Sequence, residues 1–186
     1  MQAQTILHFW FTELTPKHHF AKDAALDETI RTRFGATLAS AARCELFAWR
    51  TTPEGRLAEV LVLDQFSRNV YRDNPQAFAQ DALALALALA QELVAGGWWL
   101  VAGGWWLVAG GQDLSLPLAQ QSFAYMPYMH SESALVHAQD ALLFAQPGLE
   151  DTLRFEQRHQ AIIECFGRYP HPFIPNLCHP RPPVHA

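Results

Sequence analysis

Apolar positions along this chain recur at the three-to-four-residue spacing of helices, and the polar residues between them supply helix starts and stops. The first long run follows Asp23, a residue suited to cap free N–H groups, and extends from Ala24 to Trp49. Leu26, Ile30, Phe34, Leu38, Ala41, Ala42 and Leu46 fall close to a helical period within it. Gly35 sits inside that run, and glycine costs a helix interior about 1 kcal/mol relative to alanine, so a break or a close helix crossing is expected there. Thr52-Pro53 sets an N-cap residue before a proline at the first helical position and opens a helix through about Arg72. Asn74-Pro75 repeats the device and starts a third helix. Its stretch AFAQDALALALALAQELVA has a strand-like alternation, but its length, its proline start and the propensities of leucine and alanine favour a helix.

Downstream, Ser115 or Pro117 begins a short helix ending near Pro127. Ser131 caps another, with Leu135, Ala138, Leu142 and Ala145 on one face, stopping at Pro147-Gly148. The last helix runs from about Leu149 to Phe166, with Leu153, Ile162, Ile163 and Phe166 inward and Gly167 as its stop. No segment reads as a strand. The pattern therefore predicts an all-α fold of antiparallel helical hairpins joined by short turns.

Two stretches stand outside this pattern. Residues 93–111, LVAGGWWLVAGGWWLVAGG, hold two copies of a seven-residue unit and part of a third. Their length reaches that of a membrane span. Six glycines, tryptophans in the middle of the stretch, and the lack of any lysine or arginine between Arg72 and Arg154 argue against insertion. Seven residues are also too few for a structural repeat. The stretch reads as an expanded apolar loop at the end of a helix, where insertions are best tolerated. The tail from Pro170 carries six prolines in seventeen residues and supplies no periodic face. The expected organisation is one helical domain over 1–171 and a proline-rich, disordered tail over 172–186.

Composition narrows the function. Thirteen basic residues, against eighteen acidic ones, leave a net charge of −5, which disfavours nucleic acid as a partner. The three cysteines are odd in number, far apart and form no C-x-x-C, which suits a reducing cytoplasm. The N-terminus lacks the basic start and apolar run of a signal peptide.

Three polar constellations are candidates for chemistry. In LVLDQFSRNVYRD, residues 61–73, Asp64, Arg68 and Arg72 lie at i, i+4 and i+8 on one helical stripe. They make either a pair of intrahelical ion pairs or an arginine fork for a carboxylate or phosphate. In YMPYMHSES, residues 125–133, His130 and Glu132 lie at an interhelical turn, where free N–H groups could meet an anion. Glu156-x-x-His159 matches half of a di-iron carboxylate motif, which needs a second such pair. None exists, so no metal or other cofactor is expected. The nucleophile elbow, phosphate loop and dinucleotide fingerprint are absent too.

Together, ILHFWF (6–11), IRTRFG (30–35), GRLAEVLVLDQFSRNVYRD (55–73), AFAQDALALA (77–86), YMPYMHSES (125–133) and FEQRHQAIIECFGRYPH (155–171) resemble the bacterial domain-of-unknown-function family 924. The resemblance implies a right-handed, tetratricopeptide-like array of helical hairpins, and it implies no reaction. Two departures stand out. Gln121 occupies a position where an arginine is expected, and the chain after His171 lacks the Arg-Asn pair and final helix of the family. The first functional expectation is a module binding a protein or peptide partner. The second is an enzyme or small-molecule binder, with Asp64, Arg68, Arg72, His130, Glu132, His159 and Arg168 converging on an anionic ligand.

Overall fold

Helix starts written in the sequence are met by side chains that satisfy the otherwise free N–H groups. Asp23 Oδ1 accepts from the backbone of Ala25 and Leu26 at 2.9 and 3.2 Å. Thr52 Oγ1 accepts from Gly55 at 3.1 Å, and Asn74 Oδ1 from Gln76 at 2.9 Å. The computed structural model describes residues 1–89 and 113–170, and among these every regular element is helical. The 93–111 loop and the 172–186 tail lie outside the described residues. No described helix is long and apolar enough to cross a membrane. The chain divides into two compact units, Met1–Ala124 and Tyr125–Ala186.

The first unit opens with α1 (Ala3–His8), which runs into a π-helical turn over Phe9–Glu13, and a short α2 (Pro16–Phe20). Then come α3 (Ala24–Ala42), a 3-10 turn (Phe47–Thr51) and α4 (Pro53–Leu61). A second π turn (Val62–Phe66) leads into α5 (Ser67–Val70), and a 3-10 turn (Pro75–Phe78) precedes α6 (Asp81–Leu89). Ile6, Phe9, Trp10, Ile30, Phe34, Leu57, Leu61 and Phe66 are buried and form the core. Phe9, Phe34 and Phe66 cluster with ring centroids 4.8 to 5.9 Å apart.

Two expectations fail here for visible reasons. Helix α3 passes Gly35 without a break, and a Cβ at Gly35 would meet nothing within 4 Å, so neither a kink nor a close crossing explains that glycine. The run also ends at Ala42 rather than Trp49, because Cys44 turns the backbone to φ 59°. Gly55 is the glycine with a steric reason. A Cβ there would lie 1.9 Å from the carbonyl oxygen of Trp49, so the start of α4 packs backbone against backbone.

Helix α7 (Leu118–Met129) continues two residues past Pro127 and carries the chain into the second unit. That unit is completed by α8 (Ala134–Phe144) and α9 (Glu150–Phe166), which pack against each other across a short turn containing Gly148 at φ 91°. Gly167, at φ 71°, stops α9 as expected. The N-cap of α8 is Ser133 rather than Ser131, whose hydroxyl instead accepts from the Ser133 N–H at 3.2 Å. Most unusual is the orientation of α8. The stripe of Leu135 and Leu142 faces outward, exposed at 83% and 67%, while His137 and Asp140 face inward at 0% beside the buried Leu143 and Phe144.

Candidate functional site

In the first unit, the stripe of Asp64, Arg68 and Arg72 does not form a shared fork. Arg68 bridges to Asp64 at 2.9 Å and donates to both carboxylate oxygens of Asp81 at 2.9 Å. Arg72 lies beyond the end of α5, followed by Asp73 at φ 60°, and so leaves the helical stripe. Its guanidinium donates to Asp27 of α3 at 2.5 and 2.7 Å, and Asn69 donates to the same carboxylate at 2.8 Å. Burial pushes the Asp27 carboxyl up, but the bonds from Arg72 and Asn69 outweigh it and hold the group below its usual range. Glu59, fully buried, takes a two-pronged bond from Arg50 at 2.7 Å. Asp27, Glu59 and Asp64 thus each have an arginine, the arrangement a buried carboxylate needs.

In the second unit, Glu132 and His159 meet around Tyr169. The Tyr169 N–H donates to Glu132 at 3.2 Å, and the His159 ring lies 5.6 Å from the phenol ring. His159 Nδ1 bonds the Phe155 carbonyl of its own helix at 2.9 Å, and burial lowers its pKa against the opposing pull of that carbonyl. His130 is half-buried beside the turn and Arg168 is exposed.

The residues brought closest together in this unit belong to a different set. His137 and Asp140 stand at i and i+3 on the inner face of α8, and Glu156 projects from the middle of α9. All three are fully buried, and their ligand-type atoms lie within 4.8 Å of one another. His137 Nδ1 is 2.6 Å from Glu156 Oε1, and Nε2 is 2.8 Å from the Ser131 carbonyl and 3.2 Å from the Tyr169 hydroxyl. The Tyr169 hydroxyl itself donates to the Met129 carbonyl. A carbonyl can only accept, so the Ser131 bond puts a proton on Nε2 and turns Nδ1 toward the carboxylates.

Charge is balanced here without arginine or lysine. Among the described residues, both oxygens of Asp140 and Oε2 of Glu156 find no donor from outside the cluster, which leaves the two carboxyl groups facing each other. Burial, and then the neighbouring Glu156 carboxyl, push Asp140 up to about 11, so it holds a proton at neutral pH. Burial alone would lower the His137 pKa, but the bond to Glu156 outweighs it and raises the group. Both shifts favour the protonated forms of Asp140 and His137 where three lone-pair donors converge. Buried ionisable groups shifted in this way are what functional sites use.

A family model described as "Bacterial protein of unknown function (DUF924)" matches residues 6–172. The chain belongs to this family. A solved structure is similar to it as well: that of a protein of unknown function from Agrobacterium tumefaciens is 31% identical, with a TM-score of 0.76, covering 89% of this chain and 84% of that one. No curated protein matches the chain. In the sequence Glu156 stands out only as the partner of His159 at i,i+3, and His137 and Asp140 do not stand out. The available signal was a His-x-x-Asp pair on the face of α8 opposite Leu135 and Leu142, a face that amphipathic patterning assigns to solvent.

Proposed function

We propose that this DUF924 chain is a helical ligand-binding protein whose ligand carries positive charge and binds at His137, Asp140 and Glu156. The observation that carries the reading is two buried carboxyl groups and an imidazole facing one another, with three carboxyl oxygens that find no donor from outside the cluster among the described residues. A cation is the natural partner of such a cluster. The expected anionic ligand draws little support from Arg68 and Arg72, whose guanidiniums already meet carboxylates. The tetratricopeptide-like hairpin array remains the scaffold implied by the family resemblance. Exposed free thiols at Cys44 and Cys165 fit the expected cytoplasmic location. The test is a thermal melt of the whole chain against two panels, one of inorganic and organic cations and one of phosphates and carboxylates. Stabilisation by a cation supports the reading. Stabilisation by an anion, lost in Arg68→Ala, restores the anionic pocket instead.

A second reading, a protein- or peptide-binding module, draws on the outward apolar stripe of Leu135 and Leu142. It calls for a partner captured by the wild-type chain and released by Leu142→Lys.

A further inference from the structure

Resting on the cation-binding reading, we propose that the cation is a divalent transition-metal ion of the zinc type, held by Nδ1 of His137 and one carboxylate oxygen each from Asp140 and Glu156. The donor set argues for this class. One imidazole with two carboxylates suits zinc and its first-row neighbours, whereas calcium takes six to eight oxygens and magnesium keeps most of its waters. Charge argues the same way. Binding exchanges the metal for the protons on Asp140 and His137, which leave to solvent. The two carboxylates and neutral imidazole that remain sum to −2, so a divalent ion leaves the buried site neutral, which a monovalent ion does not.

Geometry is compatible with a single centre. With metal–ligand bonds of about 2.0–2.2 Å, neighbouring ligand atoms in a tetrahedron sit about 3.4 Å apart. The three ligand atoms already lie within 4.8 Å of one another, and the His137–Glu156 contact of 2.6 Å has to open by about 1 Å. One coordination position is left for water or another small ligand.

The surroundings have the form of an outer shell around a metal. Metal-bound histidines nearly always donate their second N–H to a carbonyl or carboxylate, which fixes the tautomer and the ring plane. Here the Ser131 carbonyl accepts from Nε2 at 2.8 Å, with Tyr169 beside it at 3.2 Å. Both sit in the second unit, on the turn before α8 and on the segment after α9. The contrast with Asp27, Glu59 and Asp64 is also informative. Those carboxylates are neutralised by arginine, while Asp140 and Glu156 converge on a histidine and on each other.

The experiment is a calorimetric titration of chelator-treated, full-length protein with Zn²⁺, Co²⁺, Mg²⁺, Ca²⁺ and spermidine in turn. Wild type, Asp140→Asn and His137→Gln are compared, and far-UV circular dichroism verifies the helical content of each. The expected result is one equivalent of Zn²⁺ or Co²⁺, bound about 100-fold or more tightly than Mg²⁺ or Ca²⁺. Both variants should weaken it by at least the 10–100-fold seen when outer-shell partners alone are removed. Undiminished zinc binding in both variants puts the metal elsewhere and overturns the proposal. Tighter binding of Ca²⁺, Mg²⁺ or spermidine overturns the metal class but leaves the cation reading standing. Binding of no cation overturns both. Should the variants lose their helical signal, the visible spectrum of Co²⁺ in the wild type decides. Nitrogen and oxygen ligation supports the site, and a thiolate charge-transfer band contradicts it.

Discussion

Replacing Asp140 with asparagine should stabilise the metal-free protein. In the fold, Asp140 holds a proton because burial and Glu156 push its pKa up to about 11. In the unfolded chain the same group ionises near pH 4. Holding that proton at pH 7 therefore costs about three pH units at ~1.4 kcal/mol each, or roughly 4 kcal/mol. This figure requires only that the folded value lie well above 7. Asparagine has no such cost and still offers an N–H to Glu156, although its remaining polar atoms lose about 1–3 kcal/mol for want of partners. A net gain of about 1–3 kcal/mol at pH 7 is the expected result. The pH dependence has a definite sign. The folded state binds the extra proton, so the stability that Asp140 allows is complete below about pH 4 and declines as pH rises towards the folded pKa of about 11. Urea unfolding with chelator present, near pH 5 and near pH 8, measures it, because other titrating groups cancel in the difference between variant and wild type. The advantage of Asp140→Asn should widen by about 4 kcal/mol over that interval. A variant less stable at both pH values, with a gap that does not move, means that Asp140 is ionised in the fold and refutes the reasoning.

Two further outcomes test the first unit. Arg72→Ala leaves the Asp27 carboxylate with the Asn69 hydrogen bond and the more distant charge of Arg31, and should cost about 2–4 kcal/mol in urea unfolding. Because Asp27 is held below its usual range, the stability this pair contributes is present at neutral pH and is lost as pH falls through the Asp27 folded pKa. The variant should therefore lose less stability than wild type on acidification. Gly55→Ala drives a methyl group to 1.9 Å from the Trp49 carbonyl and should lower Tm by several degrees, whereas Gly35→Ala meets nothing within 4 Å and should raise it slightly.

The helices of this chain were legible because their signals are local. Asp23 and Thr52 cap where they were expected to, Asn74 caps a 3-10 turn with α6 starting only at Asp81, and Leu26, Ile30, Phe34 and Leu38 turn inward along α3. Arg68 forms its i,i+4 bridge to Asp64, a pairing that spacing alone dictates. What spacing could not supply were partners distant in sequence. Arg72 crosses 45 residues to Asp27, and Arg68 takes Asp81 from α6. The cluster in the second unit was hidden for a different reason. Patterning assumes that the apolar face of a helix is its buried face. In α8 the assumption fails in part: Leu143 and Phe144 are buried, but His137 and Asp140 are taken inside with them while Leu135 and Leu142 remain outside. Such local conflict between pattern and structure is expected where function competes with stability.

Whether His137, Asp140 and Glu156 meet one metal ion is tested most directly by zinc K-edge absorption of the loaded protein. The expected spectrum has only nitrogen and oxygen neighbours at about 2.0–2.2 Å, with the scattering of a single imidazole. A sulfur shell at about 2.3 Å, from the exposed thiol of Cys44 or Cys165, or the signature of several imidazoles, would contradict it.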